Sequence, residues 1–168
     1  SSDLATPAEP ALLKRAIPRS GELLPVIGLG TYVVLDVAAN APEMAELREV
    51  MRGFVYGGAR LVDSSPMYGR AEARTGDLSA ALNIRDKLFL ATKVWASGSD
   101  AGITQMRGSF RLMQTKVIDL MQVHNLLDTA THMQTMRTWK EAGTLRYLGI
   151  THYRSEEHTS ELQSRETI

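Results

Sequence analysis

The sequence predicts an α/β protein with a parallel sheet, and two observations support this prediction. Short apolar runs recur at intervals of roughly 28 to 33 residues, as expected for repeated βα units. Between these runs, apolar side chains fall at helical spacing, so a helix would join each pair of strands. We expect strands at residues 26–32, 60–64, 88–94, 117–123 and 145–153.

Local signals along the chain predict the remaining elements. Residues 14–26 predict a β-hairpin, because Pro18 to Gly21 form a turn between two short runs. Glycines in the first strand would let another backbone or a ligand approach closely. Asn40 and Glu43 are expected to cap the first helix. Further helices are expected over residues 71–82, around Ile103 to Met113, and around Met133 to Trp139.

The composition excludes several classes of protein. With 43% apolar and 23% charged residues, the 168-residue chain has the composition of a globular domain. Its formal net charge of zero gives no indication of nucleic-acid or membrane binding. Cysteine is absent, which excludes disulfides and thiolate chemistry. Apolar stretches are far shorter than the ~20 residues of a membrane span, and no H-E-x-x-H motif predicts a metal site.

Four polar residues lie at or just after the ends of predicted strands. Asp63, Lys93 and His124 each follow an apolar run, and Tyr68 lies five residues after Asp63. If the strands are parallel, these side chains meet at one rim, where a barrel enzyme has its active site. Each residue alone has a structural alternative. Asp63 could cap a turn, and Lys93 could be a solvated residue at a strand end. Tyr68 could be an aromatic residue at the edge of the core, and His124 could be a hydrogen-bonded polar group without a catalytic role.

Together, the four side chains suit proton transfer to a carbonyl oxygen. A free tyrosine has a pKa of about 10 and is a poor acid near neutral pH. A lysine ammonium at Lys93 would stabilise the phenolate of Tyr68, and Asp63 would keep that lysine charged. His124 could orient the substrate oxygen by a hydrogen bond. Because no side chain supplies hydride, this chemistry implies a nicotinamide cofactor.

Two parallel architectures are compatible with this pattern, an open doubly wound sheet and a closed eight-stranded barrel. Gly28 and Gly30 begin a dinucleotide-binding fingerprint, G-x-G-x-x-G. The fingerprint fails at its third position, where Val33 stands. The open sheet is therefore the weaker alternative.

The chain resembles the aldo/keto reductase family over residues 14–153, with its motifs in family order. The matching segments are Gly28-Leu29-Gly30-Thr31, Asp63-Ser64-Ser65-Pro66-Met67-Tyr68-Gly69 with Ala71-Glu72, Ala91-Thr92-Lys93, residues 119–125 (DLMQVHN) and residues 146–151 (RYLGIT). The resemblance implies a TIM (β/α)8 barrel and reduction of aldehydes or ketones with NADPH, or less often NADH. It also implies that Tyr68 is the general acid, that Lys93 and Asp63 tune it, and that His124 orients the substrate.

The resemblance also implies a set of binding residues. Thr151 and His152 stand where the family usually has Ser-Asn, whose side chains hold the nicotinamide carboxamide. Thr151 can keep the hydroxyl contact, and His152 could bond the amide in place of asparagine. The expected cofactor contacts are thus Gly30, Thr31, Asp63, Thr151 and His152, and Tyr32, Val33 and Trp95 are expected to line the substrate pocket.

The sequence predicts only part of a barrel, about five βα units with an N-terminal β-hairpin. A complete barrel has eight strands and typically about 250 residues. Residues 154–164 resemble the codon-by-codon translation of a common short-read sequencing adapter. We therefore expect a flexible segment at residues 1–13, a partial barrel at 14–153 and an artefactual, disordered tail at 154–168. Because the barrel is incomplete, we expect no appreciable catalytic turnover from this chain.

Two other functions stay open from the sequence. Lys93 could form a Schiff base in a lyase, although Asp63 nearby would favour the unreactive ammonium. The fold could also serve as a non-catalytic cofactor-binding module, as in the potassium-channel beta subunits that resemble this family. We expect a small carbonyl substrate and a cytoplasmic location, with export after a removed leader as the alternative; the oligomeric state is left open.

Overall fold

The computed structural model describes residues 12–152, which form seven strands, four α-helices and one short 3-10 helix. The expected tail at 154–168 and most of the expected N-terminal segment lie outside the described residues. The strands are β1 (Lys14–Ala16), β2 (Leu23–Pro25), β3 (Gly28–Gly30), β4 (Leu61–Asp63), β5 (Phe89–Val94), β6 (Ile118–His124) and β7 (Leu145–Thr151). The helices are α1 (Glu43–Tyr56), α2 (Ala71–Ala81), α3 (Ser99–Leu112) and α4 (Thr129–Glu141), with the 3-10 helix at Arg85–Lys87.

Strands β3 to β7 form one five-stranded parallel sheet, in which sequence neighbours are also neighbours in space. Parallel pairing requires a crossover between successive strands, and α1 to α4 provide these crossovers. The predicted α/β fold with five repeated units is therefore confirmed. The register pairs Gly30 with Asp63, Asp63 with Ala91, Lys93 with Gln122, and His124 with Thr151.

The core lies between the sheet and its helices, in two apolar clusters. One cluster joins α1 and α2 to β4 and β5, and the other joins α3 and α4 to β6 and β7. Met106 and Met136 are fully buried in the second cluster, as their helical spacing predicts. Burial of each such side chain contributes roughly 1.5 to 3 kcal/mol to stability. The eight methionines of the chain are thus explained largely by packing in this layer.

The predicted hairpin is present and packs against the amino end of the sheet. β1 and β2 pair antiparallel, and Glu22, beside β2, accepts hydrogen bonds from Arg146 and from the Tyr147 hydroxyl at 2.6 Å. The Tyr147 contact is the largest cause that lowers the pKa of Glu22. Because Arg146 and Tyr147 lie near the start of β7, the hairpin leaves the carboxyl end of the sheet free.

Two sequence predictions about element ends are wrong. Asn40 does not cap α1, because Pro42 occupies the N-cap position with φ of −59° and no side chain caps the helix. Proline at a helix start fixes the backbone without a side-chain acceptor. The first strand is also shorter than residues 26–32, since the Val26 N–H donates to Leu13 in the hairpin and a turn begins at Tyr32.

No helix within residues 12–152 is long and apolar enough to cross a bilayer.

Candidate active site

The carboxyl ends of β4 to β7 bring the predicted polar residues to one end of the sheet. Asp63, His124 and Thr151 are the last residues of β4, β6 and β7, and Lys93 is next to last in β5. Tyr68 lies in the segment between β4 and α2. These polar residues lie at or next to the carboxyl ends of their strands, and parallel strands present those ends at the same edge of the sheet.

Lys93 is the central group of the site and is almost fully buried, with 4% of its surface exposed. Its ammonium donates to the Asp63 carboxylate at 2.7 Å and to the Ser64 carbonyl oxygen at 2.7 Å. It also lies 5.0 Å from the centroid of the Tyr68 ring. A buried ammonium needs such partners, because an unpaired charge in this position would be costly.

A second carboxylate oxygen of Asp63 is held by Gln122, which sequence reasoning did not single out. The Gln122 amide donates to Asp63 Oδ1 at 3.3 Å. Side chains alternate along a strand, so Gln122 faces the same side as His124, two residues later in β6. That spacing was a usable signal, but only the pairing of Lys93 with Gln122 places the amide beside Asp63.

His124 is a partly buried imidazole at the end of β6. Its Nδ1 lies 2.7 Å from the Thr151 hydroxyl oxygen on β7. The Trp95 ring meets it edge-on, with ring centroids 6.1 Å apart. Burial lowers the pKa of His124, the Lys93 charge lowers it further, and Asp63 acts in the opposite direction. The net shift favours a neutral imidazole, which can donate one hydrogen bond and accept another.

Tyr68 borders an open cavity of about 270 Å³ at this end of the sheet. Tyr32 packs on Tyr68 with ring centroids 5.0 Å apart. The cavity lining is completed by Val33, Asp36, Met67 and Gly69. Tyr32 and Val33 are about two-thirds exposed, so the pocket presents an apolar wall to solvent. A larger cavity of about 470 Å³ lies elsewhere, between the carboxyl-terminal ends of α1 and α2, and its lining contains no predicted site residue.

Trp95 is held through its backbone by a side chain of α3. The Trp95 N–H donates to Gln105 Oε1 at 2.6 Å, and the Gln105 amide donates back to the Trp95 carbonyl oxygen at 3.2 Å. This paired contact fixes the start of the loop after β5, so the indole ring stays beside His124. Trp95 lies outside the lining of the Tyr68 cavity.

Four of the five expected cofactor residues lie at the carboxyl ends of the two edge strands, β3 and β7, and the fifth, Asp63, ends the neighbouring strand β4. Gly30 ends β3, and a Cβ added there would meet no atom within 4 Å, so a ligand has room to approach. Thr31 is fully buried, and its hydroxyl is hydrogen-bonded to the Asp63 carbonyl oxygen at 3.1 Å and to Ser64 Oγ at 2.9 Å. Thr151 and His152 are at the other edge strand, β7, and both are partly exposed. Open space at Gly30 and polar groups at Thr151 fit a nicotinamide ring with a carboxamide.

Glu72 is a buried acid behind the site that sequence reasoning did not identify as such. Only 2% of its surface is exposed, and it accepts a hydrogen bond from the Thr92 hydroxyl at 2.6 Å. Burial raises the pKa of Glu72, with its hydrogen bonds and Lys93 acting in the opposite direction. Thr92 and Lys93 are consecutive in β5, so their side chains point to opposite faces of the sheet. Glu72, which contacts Thr92, therefore lies on the helix side of the sheet, and Lys93 lies on the other side.

The described part of the chain contains no cluster of three or more His, Asp or Glu side chains that could hold a metal ion. The five-stranded parallel sheet and the contact between Lys93 and Tyr68 define a class: an α/β protein with repeated βα units and a lysine-paired tyrosine at the carboxyl ends of its strands. A sequence profile described as "Aldo/keto reductase family" matches residues 26–167. The chain belongs to the aldo/keto reductase family. The match extends across most of the segment that we expected to be artefactual.

Two curated relatives illustrate the similarity. The chain is 33% identical over 117 residues to methylglyoxal reductase YeaE of Escherichia coli (strain K12). The aligned region covers 66% of this chain and 39% of the relative. The chain is 26% identical over 137 residues to methylglyoxal reductase DkgA of Yersinia pestis, covering 79% of this chain and 47% of the relative. The chain thus spans less than half the length of either protein.

Solved structures share the fold. An aldo-keto reductase from Klebsiella pneumoniae in complex with NADPH matches with a TM-score of 0.73 and 23% identity, over 90% of this chain and 54% of that one. An aldo-keto reductase from Bacillus halodurans in its holo form matches with a TM-score of 0.74 and 24% identity, over 94% of this chain and 55% of that one. The expected incomplete barrel agrees with this partial coverage.

Proposed function

We propose that the protein carrying this chain reduces aldehyde or ketone groups of small molecules to alcohols with NADPH, or with NADH as a less frequent donor. The observation that supports this most directly is the position of the Lys93 ammonium, 2.7 Å from Asp63 and 5.0 Å from the centre of the Tyr68 ring. An ammonium held in this place stabilises the negative charge that a tyrosine acquires when it donates its proton.

In this proposal Tyr68 is the general acid. The carbonyl oxygen gains the proton of the Tyr68 hydroxyl while the carbonyl carbon gains hydride, and the product is the alcohol. The cofactor, when bound, supplies that hydride. Lys93 lies beside the phenolate left on Tyr68, and the Asp63 carboxylate holds the Lys93 ammonium in that position.

His124 has a separate part in the proposed reaction. Burial and the Lys93 charge both lower its pKa, which supports a neutral imidazole that hydrogen-bonds the substrate oxygen without taking the proton. Tyr32 would form a wall of the pocket beside Tyr68, and Trp95 would flank the pocket on the His124 side, outside the lining of the Tyr68 cavity. The exposed apolar surface of Tyr32 and Val33 supports a substrate with an apolar part.

The cofactor would be held at the two edge strands. We propose that the Thr151 hydroxyl and His152 contact the carboxamide, and that Gly30 leaves space for the ring. Thr31 would support the cofactor site indirectly, because its buried hydroxyl holds the backbone of Asp63 and the side chain of Ser64 in place. Asp63 itself would contact the cofactor from the end of β4.

The decisive test is the loss of absorbance of reduced nicotinamide with methylglyoxal, the substrate named for two relatives. In the protein at its relatives' length, Tyr68→Phe should lower kcat by roughly 10² to 10⁴. Tyr56→Phe is the matched control, since it removes the same hydroxyl from an exposed tyrosine at the end of α1, away from the site. A Tyr68→Phe variant with the parent rate would overturn the role of Tyr68.

Two further outcomes separate the remaining alternatives. Tight cofactor binding without turnover for any carbonyl compound would favour a non-catalytic binding module. Trapping of a carbonyl compound on Lys93 by borohydride would favour a Schiff-base lyase. The Lys93 contacts argue against that lyase, because the lysine nitrogen is held as a hydrogen-bond donor to Asp63 and to the Ser64 carbonyl oxygen, both at 2.7 Å.

A further inference from the structure

The contact between His124 and Thr151 joins two adjacent strand ends. The two residues are register partners in β6 and β7, and the imidazole Nδ1 lies 2.7 Å from the threonine hydroxyl oxygen. A hydroxyl can either donate to the ring nitrogen or accept from it, so the direction of this hydrogen bond and the position of the imidazole proton depend on each other. The family resemblance predicts Thr151 as a cofactor contact and assigns it no action on His124.

The chemistry proposed for the pocket requires one of the two tautomers. A carbonyl oxygen is an acceptor, so the imidazole must offer an N–H on the nitrogen away from Thr151, which is Nε2. In a neutral ring this leaves Nδ1 as an acceptor. Thr151 is the hydroxyl donor within reach of that nitrogen.

The charged groups around the ring support the neutral form. Lys93 lowers the pKa of His124, in addition to burial, and Asp63 raises it by less. Trp95 covers the ring edge-on and carries no charge. A doubly protonated ring could only donate to the threonine oxygen, so a threonine hydroxyl that donates to Nδ1 requires the neutral imidazole.

We infer that Thr151 is a positioning residue: its hydroxyl donates to His124 Nδ1 and so places the imidazole proton on Nε2, facing the reacting oxygen. The part of this inference that concerns the reacting oxygen rests on the proposed reductase function. The hydroxyl lone pairs stay free to accept from a carboxamide, so one residue serves both the imidazole and the cofactor side of the pocket.

The test is long-range ¹H–¹⁵N NMR of the chain with labelled histidine, which distinguishes protonated from unprotonated ring nitrogens. His124→Gln identifies the His124 signals among the four histidines of the chain. We expect a single Nε2–H tautomer for His124 in the parent chain and in Thr151→Ser. Thr151→Val, which removes the hydroxyl at nearly constant volume, should give a mixture of tautomers.

Thr144→Val is the matched control, because it removes a part-buried hydroxyl just before the other end of β7. An Nδ1–H tautomer in the parent chain would overturn the inference, as would a Thr151→Val spectrum identical to the parent. If Thr151→Val fails to fold, the parent tautomer and the serine variant still decide the direction of the hydrogen bond.

This spectrum needs neither cofactor nor turnover, so it can fail or succeed separately from the proposed reductase activity. In an active protein of the relatives' length, Thr151→Val should lower kcat/KM by roughly five- to tenfold, with recovery in Thr151→Ser. If the NMR spectrum shows the expected tautomer but the active-length protein reduces no carbonyl compound, the positioning role of Thr151 stands and the proposed reductase function is overturned.

Discussion

The pair formed by Lys93 and Asp63 should show a large energetic coupling, because one partner is buried. The lysine side chain is 5% exposed and the aspartate side chain 33% exposed, with 2.7 Å between the charged atoms. We predict that Asp63→Asn lowers the free energy of unfolding by about 3 kcal/mol, since it leaves the ammonium buried without its counter-charge. Lys93→Met should cost less, because the released carboxylate is partly solvated.

The magnitude follows from the distance and the exposure. Two unit charges at this separation attract by roughly 6 kcal/mol at an effective dielectric constant of about 20. Solvent reaches a third of the Asp63 side chain, so we reduce this coupling to about 2 to 3 kcal/mol. The double variant Asp63→Asn/Lys93→Met should therefore be more stable than the sum of the single losses indicates.

Urea unfolding of the four forms measures the coupling as a double-mutant cycle. The same cycle on Arg52 and Glu49 is the control, because that ion pair has a similar distance of 2.9 Å and lies exposed on α1. We expect about 0.3 to 0.5 kcal/mol there. A Lys93–Asp63 coupling no larger than the control value would refute the reasoning that burial makes this pair strong.

Two other predictions concern the layer behind the site. Because burial raises the pKa of Glu72 above its ordinary 4.5, the folded chain holds a proton that the unfolded chain releases. Stability should therefore fall as pH rises from about 4.5 through the raised pKa, by up to about 1.4 kcal/mol per pH unit. Urea unfolding of Glu72→Gln from pH 5 to 8 should lack this decline, and exposed Glu141→Gln should keep it. In α3, Gly102→Ala should destabilise by about 1 to 3 kcal/mol, because its Cβ would meet the His132 ring. Gly108→Ala, with open space, should stabilise by about 0.5 to 1 kcal/mol; equal effects of both alanines on the melting temperature would contradict the close contact.

The element types were predictable because they depend on short-range patterns. Alternation of apolar runs with helical spacing gave the five units, and the turn at Pro18 to Gly21 gave the hairpin. Element ends were less predictable, as Asn40 illustrates: its side chain suits a helix cap, but Pro42 two residues later starts the helix instead. Such a competition between neighbouring signals is decided by backbone geometry.

The placement of site residues at strand ends was also predictable, while their mutual contacts were not. Asp63, Lys93 and His124 each end an apolar run, and parallel strands must present those ends together. Gln122 and Glu72 show weaker signals: Gln122 has only its two-residue spacing from His124, and Glu72 looks like any helix glutamate. Their contacts depend on which residues the register and the helix packing bring opposite them.

The sequence by itself determined the α/β class, the order of the units and the residue types at the carboxyl ends of the strands, because alternation and helical spacing are local properties of the chain. Only the tertiary structure decided that Lys93 lies between Asp63 and Tyr68, that Gln122 holds the second carboxylate oxygen, and that Thr151 meets Nδ1 of His124. Those distances depend on strand register and burial, which arise when segments far apart in sequence pack together.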